Sequence, residues 1–188
     1  MNWYKIAEAE EVTVTHDQFK AMSSDEKKYL VKNTSISSQT QQLFFTKEYR
    51  GKGDILWWLA HNTSISPEIH TLFFTQEYKD KENILHHLAQ NRSISLQTQL
   101  LFFTQKYKDK GDALHALAAN TSISPEVQLL LITQEYEDKN WVLWGLFSNP
   151  SFLKGLTLKE MREFAKTKEA RLLVYKKRFK AIKAMVLL

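Results

Sequence analysis

The sequence contains no cysteine. That absence removes disulfides, zinc-thiolate sites, iron-sulfur clusters and a cysteine nucleophile together, and it fits a reducing compartment. No apolar run approaches the roughly 18 residues that a membrane-spanning helix requires. The opening segment MNWYKIAEAEE carries early acids and no apolar stretch, so it does not read as a secretion signal, and a cytoplasmic location is expected. Glycine is scarce, and no Gly-rich phosphate loop is present. A Ser/His/Asp arrangement and a carboxylate pair at a telling spacing are missing as well. Catalysis therefore has little to rest on, and no cofactor is implied.

What is present is a chain of 188 residues with the apolar and charged fractions of an ordinary folded domain. The formal net charge of +5 is unevenly spread. Residues 166–188 hold eight lysines and arginines against one glutamate, which leaves the rest of the chain slightly acidic. The high isoelectric point thus describes one terminal segment and not the whole surface.

Asn33, Asn62, Asn91, Asn120 and Asn149 each follow the one before by 29 residues, and each opens a short segment rich in Thr, Ser, Ile and Pro. A fixed period of this size signals an α-solenoid or a related repeat architecture. Four of these asparagines begin Asn-x-Ser triplets, which read as a repeated turn and not as glycosylation acceptors. Ser37, Ser66, Ser95 and Ser124 are placed to cap a first helix, with Pro67 and Pro125 at its first position, where the missing amide costs nothing. Ile69, Leu72 and Phe73 follow helical spacing there, and Phe74 and Tyr78 form a second stripe. Phe45, Phe74, Phe103 and Ile132, together with Tyr49, Tyr78, Tyr107 and Tyr136, are expected to stack as core layers.

A polar link then leads to a second helix. Leu56, Leu85, Leu114 and Leu143, and again Leu59, Leu88, Leu117 and Leu146, mark its core side, with Ala60, Ala89 and Ala118 beside them. The asparagine that follows is expected to end this helix in the left-handed conformation, which Asn tolerates best after Gly.

These patterns predict an all-α fold, a right-handed α-solenoid of two-helix repeats with a 29-residue period. Residues 1–32 form a lead-in and a degenerate capping repeat, 33–148 four repeats, and 149–188 a C-terminal cap. The lead-in over 1–14 is expected to be irregular or extended and to pack on the first repeat. Thr15 and Ser24-Asp25 mark two short helices after it. Thr157-Leu158-Lys159-Glu160 reads as a capping box. Leu172, Tyr175, Phe179, Ile182 and Val186 predict a long final helix with an apolar seam and a basic back.

The phrase LAANTSISPEV, Leu117 to Val127, resembles the leucine-rich variant repeat, in which one helix ends in Asn and the next begins with Ser or Thr, Pro, Pro or Glu, and Val. More loosely it is similar to HEAT-type helical repeats. The resemblance covers about Asn33 to Asn149 and rests on helix-cap grammar. Solenoids of this kind serve as binding scaffolds, so the resemblance implies that role. The 29-residue unit is longer than the usual one, and the Cys cluster found in some members is absent, so no iron-sulfur cluster is implied.

At about 100° per residue, positions 54, 57, 58 and 61 and their equivalents lie away from the apolar side of the second helix. That face carries Trp57, Trp58 and His61, then His86 and His87, then His115 with Ala116, then Trp141 and Trp144 with Gly145. Solvated helix faces normally carry Lys, Glu and Gln, so rings in a row suggest binding. The first expectation is recognition of a protein or peptide on this face without enzymatic activity. The competing expectation is that the termini cover it. No metal is expected, because neighbouring helices stand roughly 8 to 10 Å apart, whereas one ion needs ligands about 2 Å from a shared centre.

The alternative function is nucleic-acid binding. Lys176, Lys177, Arg178, Lys180 and Lys183 would contact phosphates and the rings would stack unpaired bases. Some HEAT-like solenoids are DNA glycosylases with Trp residues and an Asp in a groove, and Trp57, Trp58, Trp144 and Asp112 resemble that set. Asp54 and Asp112 equally suit the first turn of a helix, where a carboxylate favours the dipole.

Overall fold

The computed structural model describes residues 11–46 and 53–152, together with 157 and 159. The described residues contain ten helices and no strand. In chain order they are α1 (His16–Ala21), α2 (Ser24–Lys32), α3 (Ser38–Leu43), α4 (Gly53–His61), α5 (Pro67–Thr75), α6 (Lys81–Gln90), α7 (Leu96–Thr104), α8 (Lys110–Ala119), α9 (Pro125–Thr133) and α10 (Lys139–Ser148). Among the described residues no helix is long and apolar enough to cross a membrane. The final basic helix expected from the sequence, with Lys176, Lys177, Arg178, Lys180 and Lys183, lies outside the described residues, as does Tyr49.

Five of the ten helices, α1, α2, α3, α7 and α9, begin where a side chain satisfies one of their first amides. Thr15 with Gln18, and Ser23 with Glu26, close reciprocal capping boxes on α1 and α2. Ser37, Ser95 and Ser124 accept from the amides of Thr40, Thr98 and Val127. Ser66 makes no such bond and meets the Ser38 hydroxyl at 3.0 Å instead. Pro67 and Pro125 stand at the helix starts, as their residue type demands.

Helices α2, α4, α6, α8 and α10 pack one against the next, and α3, α5, α7 and α9 form a parallel series. Between the two series lies the core. Leu56, Leu59, Leu85, Leu88, Leu114, Leu117, Leu143 and Leu146 are buried, with Ala60, Ala89 and Ala118 among them. Phenylalanines join successive helices edge to face, Phe45 on Phe73 at 5.0 Å and Phe74 on Phe102 at 4.9 Å. Each fully buried ring contributes about 1.5–3 kcal/mol of transfer free energy. Tyr78, Tyr107 and Tyr136 are half-buried, and each hydroxyl donates to the carbonyl five residues earlier.

Of the lead-in expected over 1–14, residues 1–10 lie outside the described residues. Val12 makes an isolated parallel bridge with Ile36, and the Val14 amide donates to the Thr40 hydroxyl at 2.8 Å.

The asparagines depart from expectation. Asn33, Asn91, Asn120 and Asn149 follow helices but have φ between −67° and −72°, in extended backbone, and Asn62 is likewise not in the left-handed region. Their side chains explain them. Asn91 Nδ2 donates to the carbonyls of Ala60 and Asn62, both at 2.9 Å, and its Oδ1 accepts from the Ser93 amide at 2.9 Å. The same pattern joins Asn62 to Val31 and Asn33, Asn120 to Ala89 and Asn91, and Asn149 to Ala118 and Asn120. A buried amide that reaches back to the preceding helix end satisfies carbonyls which that helix cannot pair internally. The result is a continuous asparagine ladder.

The left-handed positions fall elsewhere. Asp80, Asp109 and Asp138, each just before a helix, have φ of 58°, 48° and 56°. Asp tolerates this region better than most residues because its short polar side chain can bond locally. The turn brings Lys81 and Lys110 back under the preceding helix. Lys81 Nζ donates to the Phe74 and Gln76 carbonyls at 2.8 and 2.9 Å, and Lys110 Nζ to the Phe103 and Gln105 carbonyls at 2.6 and 3.3 Å. A cation at the C-terminal end of α5 and of α7 also suits the helix dipole.

Candidate functional site

The buried leucines fix which side of each helix in the second series turns outward. In α4, Ile55, Leu56, Leu59 and Ala60 are buried, which leaves Asp54, Trp57, Trp58 and His61 on the other face. In α6, Ile84, Leu85, Leu88 and Ala89 are buried, leaving Asn83, His86, His87 and Gln90. The next two helices differ from expectation at one position each, because Ala116 and Gly145 are buried. His115 packs over Gly145 so closely that a Cβ there would stand 2.9 Å from its Cδ2 and 3.1 Å from its carbonyl oxygen. The face of α8 and α10 is therefore made by Asp112, His115, Trp141 and Trp144.

The structure brings the sequence-predicted residues into two adjoining groups. In the first, the Trp57 ring lies 4.5 Å from Trp58, 4.2 Å from His61 and 5.1 Å from His87. His87 in turn stands 4.8 Å from His61 and 5.3 Å from His86. Lys32 places its ammonium 3.7 Å from the centre of the Trp58 ring, a cation–π contact. In the second group the His115 ring stacks on Trp141 at 4.1 Å with an interplanar angle of 3°, and lies nearly parallel to Trp144 at 6.0 Å. Trp141 and Trp144 are 42% and 53% exposed.

The imidazoles are oriented by their partners. His61 Nδ1 faces the Trp57 carbonyl at 2.9 Å, and a carbonyl can only accept, so that nitrogen carries the hydrogen. By the same argument His86 donates from Nδ1 to the Asp112 carbonyl at 3.2 Å and accepts from the Gln90 amide at Nε2 at 3.0 Å. His87 Nδ1 and His115 Nε2 are buried without a hydrogen-bond partner.

Burial lowers the pKa of His87, with the neighbouring His61 and His86 acting in the same direction. Burial also lowers that of His115, reinforced by His86 and opposed by Asp112. At neutral pH these two rings are accordingly neutral. The centre of the face is aromatic and uncharged.

The carboxylates considered for catalysis both sit in the first turn of a helix, Asp54 in α4 and Asp112 in α8. Asp54 pairs with Lys28 at 3.2 Å. Among the described residues no three His, Asp or Glu side chains are grouped so as to hold a metal ion.

A feature that sequence reasoning passed over lies at the N-terminal edge of the same face. Asp80, Glu82, Asn83, His86, Asp109 and Asp112 line a cavity of about 380 Å³ between the starts of α6 and α8. The recurring Lys-Asp-Lys at 79–81 and 108–110 was its only signal, and it reads as a polar link until the left-handed Asp positions are seen.

Compared with known proteins, the chain matches no family model, no curated protein and no solved structure. Its functional reading rests on the residues themselves.

Proposed function

We propose that the chain is a right-handed α-solenoid of stacked two-helix repeats, with the 29-residue unit of the leucine-rich variant type, and that it is a cytoplasmic, non-enzymatic scaffold binding a protein or peptide on the face of its second helices. The asparagine ladder supports the stacking, since each rung bonds the backbone 29 and 31 residues earlier. The second helices pack more closely on one another than the first ones do, as they would on the inner side of a curved stack. Ala60, Ala89, Ala118 and Gly145 supply the small side chains such an approach needs.

The observation that carries the binding reading is the exposure of Trp141 and Trp144 beside a neutral His115 stacked on Trp141. Large rings held in place lose little conformational freedom on binding and dominate interface energetics. Nucleic-acid binding finds less support. The lysines and arginine named for it lie outside the described residues, and the described edge of the face carries carboxylates that repel phosphate.

Selection of a displayed random-peptide library on the immobilised full chain tests the proposal. Selected peptides should lose binding to Trp57→Ala and Trp144→Ala and keep it for Gln97→Ala, on the exposed outer side of α7. Peptides insensitive to both tryptophans would refute it.

A further inference from the structure

We infer that the partner of this face is a basic segment, one that lays an apolar or aromatic side chain on the Trp141–Trp144–His115 surface and directs an arginine or lysine into the cavity between α6 and α8. The inference rests on the peptide-binding reading above and adds the chemical class of the peptide.

Charge complementarity decides the occupant. The middle of the face is neutral, because His87 and His115 are held uncharged and Trp57, Trp141 and Trp144 carry no charge. The rim beside it is acidic. Asp80, Glu82, Asp109 and Asp112 converge on the same cavity, and none of them has an ion-pair partner among the described residues. The lysines that follow Asp80 and Asp109 in sequence do not neutralise them, because Lys81 and Lys110 turn away to the C-terminal carbonyls of α5 and α7.

Asp80 and Asp109 adopt the left-handed conformation, and neither spends its side chain on capping the helix it precedes. Asp80 lines the cavity with one carboxylate oxygen packed against Gly53 at the start of α4. His86 links the two zones, since it lines the cavity while its ring lies 5.3 Å from His87 of the aromatic group. A guanidinium can bond carboxylates in its plane and stack on a ring through its face. Trp58 already holds a cation in this way through Lys32. An anionic partner would meet uncompensated carboxylates at the cavity mouth.

The test uses the full chain and three synthetic peptides, acetyl-Trp-Ala-Arg-Ala-Ala-Arg-Ala-amide and its counterparts with citrulline or glutamate in place of arginine. Binding is followed by ¹⁵N–¹H shift changes at low salt. The arginine peptide should shift amides over 80–86 and 109–115 and bind about ten-fold more tightly than the citrulline peptide, a difference that salt erodes. The double variant Asp109→Asn/Asp112→Asn should narrow that ten-fold gap to about three-fold, because Asp80 and Glu82 remain; an unchanged gap would overturn the inference. Asparagine tolerates the left-handed position as well as aspartate does, so this variant should fold, and an unchanged circular dichroism spectrum checks it.

Equal binding of all three peptides to the parent chain, still lost with Trp144→Ala, would overturn the basic-partner inference and leave peptide recognition standing. Absence of any shift on the second helices with all three would overturn both. If the double Asn variant instead moves the resonances of residues 166–188, the chain's own basic segment occupies the cavity and the inference of a separate partner fails.

Discussion

Asn120 Nδ2 donates to the Ala89 carbonyl at 2.8 Å and to the Asn91 carbonyl at 3.0 Å, so one side chain joins the ends of two consecutive helices of the second series. Its own Oδ1 takes the amide of Ser122 at 2.9 Å. Every polar atom of that amide group faces a backbone partner, and the residue is buried.

Replacement of Asn120 by alanine should cost about 2–4 kcal/mol in urea unfolding, because it leaves two carbonyls and one amide unpaired in a buried place. Glycine discriminates between explanations. A left-handed cap would tolerate or prefer Gly, whereas the ladder predicts that Asn120→Gly is at least as damaging as Asn120→Ala.

His70 occupies the position that Gln41, Gln99 and Gln128 fill in the neighbouring first helices. Gln41 and Gln99 bridge to the next turn, donating to Ser64 and Ser122 carbonyls and accepting from Ser66 and Ser124 amides. His70 makes no such bridge among the described residues and meets the Thr98 hydroxyl, at 2.9 Å from Nδ1. Burial depresses its pKa from 6.5 to about 4, with Glu68 opposing weakly. The folded state therefore refuses a proton that the unfolded chain accepts. Its contribution is intact above 6.5 and is lost as pH falls toward about 4, by about 1.4 kcal/mol per pH unit. His70→Gln should gain about 1 kcal/mol at neutral pH by restoring the bridge, and the gain over the parent should widen from pH 6.5 downward in paired urea titrations.

Gly145→Ala should destabilise by about 1–3 kcal/mol, since the added methyl meets the His115 carbonyl oxygen and only a shift of α8 against α10 can make room. Near-ultraviolet circular dichroism should report a disturbed His115–Trp141 stack. An unchanged spectrum and stability would mean that the two helices approach less closely than described.

The stack also predicts a fluorescence titration. Burial holds His115 below its ordinary value of 6.5, so the ring over Trp141 is neutral at pH 7 and becomes a quenching imidazolium only below that value. The difference in emission between the parent and His115→Gln should therefore appear as pH drops beneath 6.5. A midpoint above it would show that Asp112, and not burial, governs the ring.

Much of the architecture was legible in the sequence because burial follows period. The leucines at 56, 59, 85, 88, 114, 117, 143 and 146 lie on the sides where helical spacing puts them, and the Ser and Pro cap positions follow from orphan amides. The asparagine was legible as a recurrence and misread as a cause. A helix-terminal Asn can serve either its own backbone or the preceding helix end, and only the backbone angles and partners separate the two. Ala116 and Gly145 were placed on the outer face by angle alone, but His115 covers the glycine, which periodicity does not encode. The acidic cavity stayed hidden for a similar reason. It joins residues from the starts of two helices, and each start by itself reads as an exposed polar link.

The most direct measurement is tryptophan emission of the full chain and of Trp144→Ala during titration with a selected peptide and, separately, with single-stranded oligothymidine at low salt. The account predicts a saturable change with the peptide that is lost in Trp144→Ala, and no saturable change with the oligonucleotide. Saturable quenching by the oligonucleotide that weakens steeply with salt, together with a peptide signal indifferent to Trp144, would contradict it.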